Sequence, residues 1–460
     1  NNCLSTVRKS TNCINLCPGR SRKELVRLFC FVVVFSFYSY IKPDEYRLTD
    51  KPGHRFMQLV DFRTVDKQLL LELDWQEEYN SEEAMLADAG FQLWKRGYRY
   101  TEFAEPLPST ILVENQVDNY RFIRLYFGAR WAWYILFLRL QEGCNWKEEW
   151  KAFREVRNLS KIKWEKPLGQ PKPIDPKKIR APRVSVVITS LQRHTYLDQI
   201  IKDLEQQELP PWEILVVDQS PTSWVPPESA PTVRVIHTPH EQGQWTGRNW
   251  AIRESRGEYI AFLDDDVRIY PDWLQHHLRI LEDWSADIST GVYVRQDETI
   301  PASHQYPHYA SQWNANNSVM KSYVLEQLGP LPGHFDGTRW GDHYYGCRAF
   351  QAGMILVSNP LAVAMDRRAP QGGLREGGEP SFTAYRILGK SLPISKGVIR
   401  YFLEFFDQDS LFRWVKTKLP WQGGRGKGLM FRILYHILSF PRLRKRVLTQ
   451  WNVLSEKETA

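Results

Sequence analysis

From residue 184 onward, solid apolar runs alternate with amphipathic stretches. Residues 184–189 (VSVVIT) form a β-branched run, read as a strand buried on both faces. A polar turn at 190–194 follows, then a helical stretch at 195–209 (TYLDQIIKDLEQQEL) and a second strand at 213–217 (EILVV) ending at Asp218. Strand, helix and strand within about 35 residues make a βαβ unit with a right-handed crossover. A third strand is expected at 233–237 (VRVIH), and the loop HEQGQWTGRNWAIRES leads into a further helix. Residues 259–263 then read as a buried strand that delivers Asp264, Asp265 and Asp266 into the next turn, with Pro271 opening another helix. Ligands of such sheets gather at the carboxyl ends of the strands.

Upstream the pattern changes. Residues 28–41 are an apolar run of about 14 residues, short of the ~20 that span a bilayer, and they follow Arg20, Arg22, Lys23 and Arg27. The first Met is Met57, so residues 1–56 read either as a membrane-contacting segment or as an extension outside the working protein. Residues 57–160 are expected to form a helical or mixed accessory domain, with helical periodicity over residues 65–97 that stops at Gly97. Within it, 122–140 is apolar but carries Arg124, Arg130 and Arg139, which suits a packed or interfacial helix rather than a spanning one. Five prolines among lysines make 161–182 a linker. The α/β domain occupies 183–395 and a basic amphipathic helical tail 396–460. In the tail, Met430, Ile433, Leu434, Ile437 and Leu438 share a helical face ahead of a basic cluster at 442–446. That face either lies on an anionic membrane surface or packs against the α/β domain.

Charge sharpens this division. The chain of 460 residues carries a net +8, yet from residue 411 onward eleven Lys/Arg face two Glu, which leaves the remainder about neutral. A nucleic-acid binder is expected to carry its charge on the working domain, so none is expected as a partner. Cys13 and Cys17 have only loosely zinc-like spacing, and Cys144 and Cys347 are single thiols, as in a reducing compartment. No GxGxxG and no GxxxxGK[ST] occurs, which argues against dinucleotide and P-loop sites. Three adjacent acids repel one another unless a cation joins them, and a hard divalent metal bridging to phosphate answers that need.

The stretches VSVVITSLQRHTYLDQIIKDLEQQELPPWEILVVDQS and GQWTGRNWAIRESRGEYIAFLDDDVRIYPDWL resemble the inverting family 2 glycosyltransferases of the GT-A fold, a mostly parallel sheet flanked by helices; the likeness covers roughly residues 183–370. The resemblance implies that Ser190 and Arg193 line the nucleotide loop, that Asp218 meets base or ribose, and that Arg248 and Asn249 lie by the diphosphate. It also implies that Asp264 and Asp265 border the donor and that Asp264 and Asp266 form a D-x-D holding Mn²⁺ or Mg²⁺. Gly247 stands where the family usually has Ala, and Gly341 where it has Glu ahead of Asp342 and Arg348. Asp342 is then the expected catalytic base, with Asp336 as its rival. Asp366 is a further possible ligand, and Arg375 in a Gly-rich loop could meet the diphosphate. His304, His308, His334 and His343 are read as ordinary loop histidines.

The activity implied is hexosyl transfer from a UDP- or dTDP-sugar to a glycan or lipid-linked acceptor in polysaccharide biosynthesis, at the cytoplasmic face of the plasma membrane. Nucleotidyl transfer would want glycines in TSLQRH, and a glycoside hydrolase would need no metal. A degenerate member, acting as a glycan-binding scaffold, is the rival motivated by Gly341.

Overall fold

The computed structural model describes residues 31–41, 71, 73–76, 78–95, 109–162, 182–295, 298–300, 305–370, 386–387, 390–391, 394–423 and 429–459. The chain divides into two compact units, residues 1–49 with 56–169, and 50–55 with 170–460.

In the first unit, part of the short apolar run forms a strand. β1 (Phe31–Phe35) pairs in parallel with β2 (Ser109–Val113) and leads into a 3₁₀ turn at Ser36–Tyr40. Phe35, Phe37 and Tyr38 are buried, and the Phe35 ring stacks on Phe122 at 4.0 Å. Four helices are described in this unit: α1 (Glu82–Lys95), α2 (Gln116–Tyr126), α3 (Ala129–Gln141) and α4 (Trp146–Val156). Two expectations change here. Residues 73–80, expected to be helical, are irregular where they are described, and the helix begins only at Glu82. The apolar segment 122–140 is two helices, broken at Gly128, whose φ of 88° lies in the left-handed region that favours glycine. Arg124 and Arg139 fit the packed reading, whereas Arg130 is exposed. Arg139 pairs with the buried Glu149 at 2.5 Å, and Arg124 donates to the carbonyls of Arg157 and Leu159. Among the described residues no helix is long and apolar enough to cross a membrane.

The second unit is built on a sheet of nine strands, β3 (Val184–Ser190), β4 (Glu213–Asp218), β5 (Val233–His237), β6 (Tyr259–Asp264), β7 (Val267–Ile269), β8 (Ile288–Arg295), β9 (His308–Ala310), β10 (Asn317–Lys321) and β11 (Leu356–Asp366). Their order is β5-β4-β3-β6-β10-β8-β11-β7, with β9 also on β11. The parallel arrangement expected from the sequence holds across β5-β4-β3-β6. Beyond β6 the sheet is mixed, because β10 enters antiparallel between β6 and β8 and β7 returns antiparallel along β11. Helices α5 (His194–Glu205), α6 (Gln244–Glu254) and α7 (Trp273–Asp283) lie in this region of the chain, followed by α8 (Ser322–Leu328) and α9 (Gly341–Gln351). Val186, Ile188, Val216, Ala261 and Leu263 are buried beneath α5 residues Leu197, Ile200 and Ile201 in one core.

A short strand pair, β12 (Arg386–Ile387) with β13 (Lys390–Ser391), precedes three closing helices. These are α10 (Lys396–Phe405), α11 (Gln408–Gly423) and α12 (Leu429–Thr459). Leu443, Val447 and Leu454 of α12 are buried while Ile437, Leu438 and Arg444 face outward, so part of the tail is packed. Cys13, Cys17, Gly97, His304, Arg375 and the Gly-rich loop lie outside the described residues.

Candidate active site

Strand ends gather the acids. β3 pairs with both β4 and β6, with Ser190 opposite Asp218 and Thr189 opposite Asp264. Asp265 and Asp266 make the tight turn into β7. The three carboxylates then divide. Asp265 is buried and wholly engaged, accepting from Ser190 Oγ at 2.7 Å and from Arg193 at 2.9 Å. Asp266, also buried, pairs with Arg193 at 3.1 Å and accepts from the Ala369 amide. Asp264 pairs with Arg248 at 3.0 Å, and its side chain remains 24% exposed. Burial pushes Asp264 up to about 7, with Arg248 opposing and Asp266 and Asp265 adding to the rise. The same cause lifts Asp265 to about 6, against the pull of Arg193. Two guanidinium groups do not fully neutralise three crowded acids.

Asp366 ends β11 beside this turn, opposite Val267, and Tyr293 is pushed up by burial and by Asp264, Asp266 and Asp366. Tyr293 was not anticipated from the sequence; it follows from the pairing of β8 with β11. Among the described residues no group of three or more His, Cys, Asp or Glu side chains is disposed to hold a metal ion unaided. The oxygen-only pair Asp264 and Asp266 nevertheless suits a hard cation that takes the rest of its shell from phosphate and water.

Asp218 lies apart from the acid turn. Its fully buried carboxylate accepts from the Ser220 and Trp224 amides and meets His194 Nε2 at 3.1 Å, so it organises the loop after β4. Asn249 does not join the acid cluster either. Its carboxamide both donates to the Leu331 carbonyl and accepts from the Leu331 amide, each at 2.9 Å. Arg248, by contrast, is fully buried, so any contribution to a bound diphosphate passes through Asp264 and its field. Burial pushes its guanidinium down, while Asp264, Asp342, Asp336 and Asp265 pull it back. Its Nε finds no acceptor, and the guanidinium lies over the Trp245 ring at 5.3 Å.

Asp336 and Asp342 also act on Arg248 through their charge. Asp336 is consumed in capping α6, accepting from the amides of Trp245 (2.6 Å) and Thr246 (3.0 Å) and from Thr246 Oγ1. Such a cap satisfies helix amides that have no partner within the helix. Asp342 sits in the first turn of α9, its side chain 30% exposed, and accepts from the His343 amide at 2.9 Å and meets His343 Nδ1 at 3.0 Å. Burial pushes Asp342 up, but His343 and Arg248 outweigh it and hold the carboxyl below its ordinary value. His343 is therefore not an ordinary loop histidine: it lies in the first turn of α9, its ring tilted against Trp340 at 4.4 Å. Arg348, six residues on, donates to the Leu328 carbonyl instead.

Gly341 has a steric explanation. A Cβ there would come within 2.4 Å of Trp245 Cε2, so the indole fills the room that a side chain at 341 would occupy. Trp245 is itself buried against Trp313. Gly247 is milder, since a methyl would meet Gln219 and Thr189 at 3.0 Å. Trp340, just before α9, holds a left-handed φ of 84° and packs on Tyr401 of α10 and Trp414 of α11, each at 5.3 Å. Non-glycine residues in that region are strained and persist where their surroundings fix them.

Parts of the chain are similar to known proteins. A glycosyl transferase of Escherichia coli K12 named for colanic acid biosynthesis is 26% identical over 136 residues, covering 28% of this chain and 47% of that protein. Glycosyltransferase AglE of Haloferax volcanii is 25% identical over 199 residues, covering 38% of this chain and 64% of its own. The chain thus spans between about half and just under two thirds of these relatives. Among solved structures, a mannosyltransferase of Pyrobaculum calidifontis is similar at 15% identity with a TM-score of 0.38, covering 60% of this chain and 84% of that one. Residues 185–349 match the glycosyl transferase family 2 profile. The segment that holds Ser190, Arg193, Asp218, Arg248, the three consecutive aspartates and Asp342 is a glycosyl transferase family 2 domain.

Proposed function

We propose that this domain transfers a sugar from a nucleotide-diphosphate donor, a UDP- or dTDP-sugar, to a hydroxyl of a glycan or lipid-linked acceptor with inversion at the anomeric carbon. One observation carries the reading: Asp264 and Asp342 both lie within the field of the buried Arg248, stay partly open to solvent and are biased in opposite directions. Asp342, held ionised, takes the acceptor proton as that oxygen bonds to the anomeric carbon. The bond from that carbon to the diphosphate oxygen breaks, and its electron pair leaves with the nucleotide. A base must be ionised to act, and a low pKa trades proton affinity for a full population of the active form. His343 orients Asp342 through the bond at Nδ1.

Asp264, with Asp266 and possible help from Asp366, would hold Mn²⁺ or Mg²⁺. When bound, that cation supplies charge stabilisation to the departing diphosphate. Arg193 and Ser190 hold Asp265 and Asp266 in place, and Arg248 holds Asp264. The outward residues Ile437, Leu438 and Arg444 of α12 support peripheral contact with an anionic membrane, and we place the activity at the cytoplasmic face of the plasma membrane.

The test is thermal stabilisation of the full chain by a panel of nucleotide diphosphates, with and without Mn²⁺, beside Asp266→Asn. Metal-dependent stabilisation by UDP or dTDP, lost in the variant, is the expected result. A folded sample that responds to no nucleotide would sink the transferase reading in favour of a glycan-binding scaffold.

A further inference from the structure

One face of the first unit takes no part in the chemistry above. On α3, Arg130, Trp133, Phe137 and Leu140 fall within one arc at about 100° per residue, and Trp133 and Leu140 are each 43% exposed. On α4, Trp146 is 62% exposed and Trp150 41%, while Glu149, Ala152, Phe153 and Val156 are buried. The Trp133 and Trp150 rings lie 5.9 Å apart, so the two helices share one aromatic surface. Lys147, Lys151, Arg154 and Arg157 are exposed beside it and line a shallow depression with Trp150, Glu155 and Asn158. Glu155 is the one acid in that lining, so cations outnumber acids there. The surface therefore presents indoles together with an excess of cations.

That combination narrows the occupant. The buried centre of a protein interface is depleted in lysine, whereas here lysines adjoin the tryptophans. A neutral glycan could use the indole faces but would leave the cations without purpose. Indole rings settle at the headgroup level of a bilayer, and neighbouring Lys and Arg are drawn to anionic headgroups. We infer that the α3–α4 face docks on a bilayer carrying anionic lipid. The inference is independent of the α12 tail and of the reaction assigned to the second unit.

The experiment is co-sedimentation of the full chain with vesicles of phosphatidylcholine alone or of phosphatidylcholine with phosphatidylglycerol, read together with tryptophan emission. Binding to the anionic vesicles with a blue-shifted emission is expected, and much weaker binding to the neutral ones. The pair Lys147→Glu and Lys151→Glu should weaken vesicle binding by about tenfold or more, and Trp133→Ser with Trp150→Ser should abolish the blue shift. Arg444→Glu with Lys445→Glu on α12 is the control for the tail. Failure of the wild-type chain to bind anionic vesicles overturns the inference, as does binding that survives the lysine reversal and falls only with the α12 variant. A wild-type chain that prefers a soluble acidic polysaccharide, without a blue shift on vesicles, overturns it equally. The reversed lysines are exposed, so that variant decides the matter if circular dichroism shows the tryptophan variant to be misfolded.

Discussion

The acid turn after β6 and the first turn of α9 use the same residue type to opposite effect. At the turn, three consecutive carboxylates share two guanidinium groups, and burial drives Asp264 and Asp265 upward. At α9, Asp342 meets His343 and feels the charge of Arg248, and it is driven downward. Both groups are partly or wholly withdrawn from water, so burial alone does not separate them. The local balance of acids to cations does. A crowded site is left needing positive charge, while a supplied one keeps its carboxylate ready to accept a proton.

The strongest way to break this comparison is Asp342→Asn, which should cut turnover by about 10²–10⁴-fold while nucleotide-dependent stabilisation persists. A silent variant in an active enzyme would remove Asp342 from the chemistry. Replacing Arg248 by Met leaves Asp264 beside its fellow acids without its partner. Loss of one member of a fully buried pair costs about 3–5 kcal/mol; with Asp264 24% exposed the loss should fall below that range, to be read by denaturant unfolding, and Mn²⁺ should restore more stability to this variant than to the wild type. Gly341→Ala should destabilise by about 1–3 kcal/mol through overpacking against Trp245. Adding Trp245→Ala to it should be clearly non-additive; simple additivity would show that the two residues do not compete for space.

The smallest effect is the most diagnostic of the electrostatics. Asp264 titrates higher in the folded protein than its ordinary 3.8, so the native state binds that proton more tightly than the unfolded chain. Its stabilising contribution is complete below about pH 4 and is lost as pH rises through about 7. Asp342, shifted down, contributes above the ordinary carboxylate range and loses that contribution as pH falls. In metal-free buffer, Asp264→Asn should flatten the decline of stability between pH 5 and pH 8 relative to wild type. An unchanged slope would argue against the crowding of the acid turn.

Much of this was legible beforehand because it is local. The runs VSVVIT, EILVV and VRVIH announce β3, β4 and β5 to within a residue, since β-branched residues filling consecutive positions leave few alternatives. The acid turn was equally plain. What the sequence hid depends on partners far along the chain. Asn249 finds Leu331 and Asp336 caps α6 across about 90 residues, and no periodicity encodes either pairing. Gly341 reads as a loss until Trp245 occupies the same space. The break at Gly128 was visible as a glycine inside an apolar segment, but three arginines drew attention to polarity rather than to backbone conformation.

The strand at Phe31–Phe35 has a practical consequence for producing the protein. Met57 is an inviting place to begin translation, and a polypeptide started there would retain the four helices described in the first unit. It would lack the strand that lines up with Ser109–Val113, together with Phe35, Phe37 and Tyr38 from the packed interior. The remaining strand would present an unsatisfied edge, a template for self-association. Poor solubility of such a shortened product would report a missing β-ladder rather than any defect in the transferase domain.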